Sequence, residues 1–155
     1  MKEIIILVGN IGSGKSTFVR EHQQKFGHIV VARDMLRYAI GGGNYIYNQD
    51  TEPIIWETEL NLLDYFLELG KNIIVDEVGV SKSMRYRYIT SAKMYDYNII
   101  CVEFPRLSMK ECVDRRMKNP HGQNNRKLWE EVWAKFDAMY KKPSLNEGFD
   151  EIIRL

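Results

Sequence analysis

The sequence predicts an α/β fold: a central, mostly parallel five-stranded sheet between two layers of helices. Three observations carry that expectation. Apolar strand-like runs recur at 3–8, 28–32, 72–76 and 98–104, and a short Glu151-Ile-Ile-Arg-Leu155 closes the chain. Stretches with helical spacing of apolar residues lie between them. The first run, Ile4-Ile5-Ile6-Leu7-Val8, leads directly into a glycine-rich turn and then a helix. Alternating strands and helices imply parallel pairing with helices on both faces. An unbroken apolar run is what a strand covered on both faces needs.

Each helix has a local reason. Phe18, Val19, His22 and Phe26 fall at helical spacing after the first turn. Residues 51–69 carry two adjacent stripes, Ile55, Leu62, Phe66, Leu69 and Trp56, Leu60, Leu63, Leu67. Gly70 is placed to cap that helix. Ser81 or Ser83 starts a helix to about Tyr95, and Ser108 one to about Lys118. A last helix holds Leu128, Trp129, Val132, Trp133, Phe136 and Tyr140, with its aromatic residues expected mostly in the core. Gly41-Gly42-Gly43-Asn44 marks 41–50 as a mobile loop, and 119–126, Asn-Pro-His-Gly-Gln-Asn-Asn-Arg, is a polar break. Without repeats, linker or low-complexity tract, residues 1–155 read as a single domain.

Composition excludes some classes. The 155 residues are 45% apolar with a net charge of +1, so nothing global demands a polyanionic partner. Charge is uneven, though. Residues 82–127 hold eleven Lys/Arg against four Asp/Glu, a local +7, and the rest a local −6. That half reads equally as a solvated helical surface or as a polyanion site. Two cysteines, Cys101 and Cys112, are too few for a disulfide framework. The start of the chain goes straight into a strand, and no apolar run approaches the ~18 residues of a membrane helix, so a cytoplasmic protein that does not enter membranes is expected. Oligomeric state is not legible.

The chemistry begins at residues 9–17, Gly9-Asn10-Ile11-Gly12-Ser13-Gly14-Lys15-Ser16-Thr17. They match G-x-x-x-x-G-K-[ST], a phosphate-binding loop. Its glycines let backbone N–H groups turn inward to phosphate oxygens. Lys15 reaches the β/γ-phosphates, and the Ser16 hydroxyl ligates Mg²⁺. Thr17 continues into a helix whose N-terminal dipole also favours an anion. A nucleoside triphosphate such as ATP, with Mg²⁺, is the implied ligand. No His/Cys spacing suggests a further metal.

In open parallel sheets ligands bind beyond the carboxyl ends of the strands. After the second strand stands Arg33-Asp34-Met35-Leu36-Arg37, and after the third Asp76-Glu77. Phosphoryl transfer needs a triphosphate clamp, Mg²⁺, a group to orient the nucleophile and positive charge over the migrating phosphoryl. Asp34 suits a general base on an acceptor hydroxyl. Arg37, three residues on, shares its face if a helical turn begins at Asp34, and its guanidinium fork suits an acceptor phosphate. Arg33 belongs to the same acceptor group. Asp76 or Glu77 suits Mg²⁺-bound water or the orientation of a neighbour. Arg115 and Arg116 sit where a lid would bring arginines over the phosphates, with Arg126 a further candidate. His121, beside Gly122, reads as a loop histidine.

The phosphate loop, Arg33-Asp34-x-x-Arg37, Asp76 and the basic helix with its lid together resemble the kinase domain of phage-type polynucleotide 5′-hydroxyl kinases, over nearly the whole chain. The resemblance implies a three-layer P-loop kinase fold with a helical lid and the phosphate-loop strand in mid-sheet. It implies ATP-dependent transfer to the 5′-hydroxyl of a nucleic-acid end or a 3′-nucleotide. Lys15 and Ser16 would hold triphosphate and Mg²⁺, and Asp34 would be the base. Arg37 would contact the acceptor's adjacent phosphate, and Asp76 would orient Arg37 or the acceptor. The lid arginine of such kinases tends to fall a turn after the first arginine of this helix, where Lys118 and Asn119 stand, so Arg116, Arg115 and Arg126 all stay open. No phosphatase partner domain of the kind some relatives carry is expected. Competing readings are a kinase for a small hydroxyl compound (nucleoside, nucleotide or sugar), a kinase for a hydroxymethylated base in DNA, or a nucleotide-binding module without catalysis.

Overall fold

The computed structural model describes residues 1–155. Five strands, β1 (Glu3–Val8), β2 (Ile29–Val31), β3 (Ile73–Val75), β4 (Asn98–Glu103) and β5 (Glu151–Arg154), form one sheet in the order β2-β3-β1-β4-β5. Every pairing is parallel, with Ile5 opposite Ile74 on one side and Ile100 on the other. The phosphate-loop strand is thus central, as the resemblance implied.

Six helices cover the sheet: α1 (Lys15–Phe26), α2 (Arg33–Ile40), α3 (Glu52–Glu68), α4 (Lys82–Met94), α5 (Met109–Lys118) and α6 (Arg126–Met139). The two-residue period of β1 sorts the core. Ile4, Ile6 and Val8 pack with Leu63 and Leu67 of α3 and with Tyr88 and Ile89 of α4. Ile5 and Leu7 face the other way, onto Val19 of α1 and Phe104. A third, small cluster joins Ile11 of the phosphate loop to Val113 of α5 and Trp129 of α6. The aromatic face of α6 is therefore the core of the α5–α6 lid, docked on the loop it would cover.

Ser81 and Ser108 cap α4 and α5, and Glu111 completes a capping box at the latter. Gly70 closes the α3 end at φ 68°. Three expectations are refined. Around Asp34 there is a whole helix, α2, starting at Arg33 rather than a single turn. The buried stripe of α3 is Ile55, Glu59, Leu63 and Leu67, while Trp56 and Leu69 are exposed, because the face toward α4 runs through an acid. The segment 41–50 is irregular, but side chains anchor it: Tyr45 Oη donates to Asp34 and Asn48 accepts from Asp50 and Thr51. No helix is long and apolar enough to cross a membrane.

Candidate active site

The phosphate loop leaves β1 at Gly9 and enters α1 at Lys15. Gly12 sits at φ 65°, and a Cβ there would lie 2.1 Å from the Cys112 carbonyl oxygen, so the loop closes against α5 only with glycine. A Cβ on Gly9 would lie 2.5 Å from Ser13 Oγ. That hydroxyl is buried without a partner. Gly14 begins α1 in the left-handed region, and no side chain caps the helix. Its first N–H groups and its dipole are thus free for an anion. Lys15 Nζ donates to Gly9 O and Asn10 O, both at 2.8 Å. Burial lowers its pKa to about 8, against the pull of Asp76. Ser16 and Thr17 are exposed at the mouth of the loop. Asn10 is structural: its side chain caps Ile11 N and donates to Trp133 O of the lid.

Asp76 follows β3, with its N–H bonded to Val31 O. Its carboxyl makes no hydrogen bond, and burial raises its pKa to about 6 although Lys15 opposes the shift. A cleft carboxyl without a partner, an exposed Ser16 hydroxyl and uncapped N–H groups form a donor set that fits a triphosphate with Mg²⁺. Lys15, Asp76, Asp34 and Arg116 all perturb one another, so the four share one electrostatic cleft.

Asp34 is held from three sides. Tyr45 Oη donates to Oδ1 at 2.7 Å, Arg37 Nη1 donates to the same oxygen at 2.8 Å, and His121 Nε2 lies 3.7 Å from Oδ2. Burial pushes its pKa up, but these neighbours outweigh it and hold the carboxyl below its ordinary value. It is thus ionised at neutral pH.

Arg37 has a different geometry from the one its spacing suggested. Its Nε and Nη2 make a bidentate pair with Glu52, both at 2.8 Å, while Nη1 holds Asp34. The guanidinium is buried and its fork is spent. Asp76, which the resemblance gave as orienting Arg37 or the acceptor, makes no hydrogen bond to Arg37; Glu52, from the start of α3, does. Arg33 is likewise engaged: its backbone N–H and guanidinium donate to Glu77, and it stacks on Trp56 at 3.8 Å.

The three lid candidates separate. Arg116 is largely buried, its Nε without a partner, stacked on Trp129 at 4.9 Å and within the field of Asp34 and Asp76. Arg115 donates to Gly12 O at 3.3 Å from the outer side. Arg126 is tied to Asp114 and Glu130 in the open, away from the cleft, because helix-surface acids lie within its reach. Part of the basic half is neutralised by ion pairs: Arg85 is fully buried against Glu147, Lys110 pairs with Asp114 and Arg106 with Asp137.

Sequence reading missed two residues here. His121, a lid-loop residue at φ 50°, stacks on Tyr45 at 4.7 Å and its Nδ1 lies 2.6 Å from Tyr38 Oη. Tyr45 lies in a glycine-rich segment where an aromatic residue gives no periodic signal. The polar break 119–126, placed between two helices, was the only hint.

The sequence model of the AAA domain family matches residues 4–143. Among solved structures, the chain is similar to one chain of the Pnkp1/Rnl/Hen1 complex, at 26% identity and a TM-score of 0.62 over 73% of this chain and 38% of that one. A structure of the Pnkp1/Rnl/Hen1 RNA repair complex matches at 22% identity and a TM-score of 0.70, over 88% and 44%. Shikimate kinase from Acinetobacter baumannii, in complex with shikimate, matches at 15% identity and a TM-score of 0.61, over 99% and 83%. The chain thus spans under half the length of the Pnkp1-complex chains it matches. Its fold is a P-loop kinase fold, shared with shikimate kinase.

Proposed function

Because this chain belongs to the AAA domain family, with the P-loop fold of a nucleotide-binding phosphotransferase, we propose that it transfers the γ-phosphoryl of ATP to the 5′-hydroxyl of a polynucleotide or 3′-nucleotide. The observation that carries the reading is the hydroxyl–carboxylate pair opposite the phosphate loop. Asp34 is ionised and already accepts from a hydroxyl, that of Tyr45, within the field of Lys15 and Arg116. A carboxylate so placed is suited to accept an acceptor's proton as its oxygen attacks phosphorus. The likeness to the Pnkp1 complexes supports a nucleic-acid end as acceptor.

The geometry supports a role for each group. Residues 9–17 cradle the triphosphate with backbone N–H groups, and Lys15 exchanges its two carbonyl partners for phosphate oxygens. Ser16 would hold Mg²⁺, with Asp76 available to its bound water, and the ion would supply positive charge against the triphosphate. Arg116, anchored by Trp129 and short of one hydrogen bond at Nε, completes its donor set on the migrating phosphoryl. Arg37, locked by Glu52, positions Asp34 rather than reading an acceptor phosphate. Tyr45 occupies the place of the acceptor hydroxyl and must leave for it.

The test is transfer from labelled ATP to a panel: 5′-hydroxyl RNA and DNA, nucleoside 3′-phosphates, hydroxymethylated DNA, plain nucleosides and sugars. The expected result is that 5′-hydroxyl strands or 3′-nucleotides exceed nucleosides and sugars at least tenfold in kcat/KM. Equal use of a plain nucleoside or sugar would replace this reading with a small-molecule kinase. ATP binding with no transfer to any hydroxyl would leave a nucleotide-binding module.

A further inference from the structure

The end of the sheet opposite the cleft carries a cluster that phosphoryl transfer does not use. Glu3 opens β1, His22 sits on the second half of α1, and His28 lies between α1 and β2. A ligand atom of each lies within 4.8 Å of the other two. No other group of three such residues in the chain is drawn so close. His28 Nε2 is 2.8 Å from Glu3 Oε1. His28 is 3% exposed, and its Nδ1 is buried with no partner. The same holds for His22 Nε2. The two rings meet edge to face at 4.6 Å, with Phe18 and Phe26 packed around His22 at 5.4 and 4.5 Å. Each unpaired nitrogen has given up water and gained nothing in return, a cost that phenylalanine or leucine in the same packing would avoid.

We propose that Glu3, His22 and His28 form a binding site for a divalent transition-metal ion of the zinc class. Two imidazoles and a carboxylate suit such an ion, whereas Mg²⁺ prefers oxygen donors only. Donors around a tetrahedral zinc stand about 3.3 Å apart; here Glu3 Oε1 and His28 Nε2 are 2.8 Å apart and all three ligand atoms lie within 4.8 Å of one another. Glu3, 30% exposed on its side chain, has room to adjust, and water supplies the fourth position. The ion would tie the first strand, the phosphate-loop helix and the following connection into one unit. It would lie about 10 Å along α1 from Lys15, seven residues away, so it clips the fold without touching the reaction. An ion that binds only the folded chain raises its stability by mass action.

The experiment uses the full chain without an affinity tag, stripped of metal by chelator. Calorimetry with Zn²⁺ is expected to show one ion per chain. Melting with free Zn²⁺ at a hundredfold excess over Kd is expected to raise Tm by about 5–10 °C. His22→Gln and Glu3→Gln should each weaken binding at least tenfold and remove most of that rise, and should abolish the visible absorption of bound Co²⁺. His22 is only partly buried, so its variant remains readable if a change at His28 unfolds the chain. No stoichiometric binding, or unchanged binding in His22→Gln, would overturn the site.

Discussion

The proposed donor and acceptor sides of the cleft are built from different materials. On the donor side the groups are backbone N–H donors drawn from nine consecutive residues, with one lysine and one serine hydroxyl added. On the acceptor side they are five side chains from four separate places: Asp34 and Arg37 on α2, Tyr45 in the following loop, Glu52 on α3 and His121 in the lid. The donor side is open, with an uncapped helix and an unpaired carboxyl at Asp76. The acceptor side is closed on itself, every polar atom of Arg37 engaged and Asp34 satisfied by Tyr45. A surface made of backbone needs glycines at fixed spacing. A surface made of side chains needs only that the fold bring them together.

Breaking the donor side should have the largest effect. Lys15→Ala leaves the triphosphate charge partly unneutralised and should cut kcat/KM by about 10²–10³ or more, with the circular dichroism spectrum unchanged. Near-normal transfer would remove the phosphate-loop reading. Asp34→Asn should cost about 10²–10⁴ in kcat while ATP affinity stays within a few-fold, since a base acts in the transition state. A proportional loss of ATP binding would move Asp34 to the donor side and erase the distinction.

The lid arginines sharpen the border between the two. Arg116→Ala should lower kcat about a hundredfold, and Arg126→Ala should leave it within about twofold, because Arg126 is spent on an exposed Asp114–Glu130 pair. Equal losses would show that the lid closes further than this structure.

Tyr45 tests the closed state. Tyr45→Phe removes one charge-assisted hydrogen bond to Asp34, about 1.5–3 kcal/mol, so the acceptor KM should fall about tenfold to a hundredfold with kcat little changed. A rise in KM would make Tyr45 an acceptor-binding residue.

The smallest expected effect concerns the charge network beneath the acceptor side. Glu59 is fully buried, 2.9 Å from the Tyr88 hydroxyl that donates to it and 3.7 Å from Arg33. Burial, reinforced by Glu77, raises its pKa to about 7. The folded state therefore holds a proton that the unfolded state has released, and stability falls as pH rises from about 4.5 to about 7. Glu59→Gln keeps the hydrogen bond without the charge. Its Tm should match the parent at pH 5 and exceed it by a few degrees at pH 8. Identical profiles would place the charge elsewhere in the Glu59–Glu77 pair.

The fold was legible because its signals are local. Unbroken apolar runs mark doubly covered strands, and caps at Ser81, Ser108 and Gly70 mark helix ends. The phosphate loop was legible because its geometry is a property of nine adjacent residues. What failed to show in the sequence depends on contacts distant along the chain. Arg37 at i+3 from Asp34 looked free for a phosphate, and only the packing of α3 against α2 turned its fork onto Glu52. The stripe of α3 looked wholly apolar, but tertiary contact with Tyr88 placed Glu59 inside it. His121 and Tyr45 lie 76 residues apart in irregular segments, where periodicity carries no information. The lid arginines were distinguished only by their tertiary surroundings: Trp129 and the cleft for Arg116, the Gly12 carbonyl for Arg115 and surface acids for Arg126. The sequence by itself determined the sheet, its helices and the phosphate-binding turn, because backbone geometry there follows from neighbouring residues. The partners on the proposed acceptor side were decided by tertiary structure, because Asp34 takes Tyr45, Arg37 takes Glu52 and His121 takes Tyr45 from other elements.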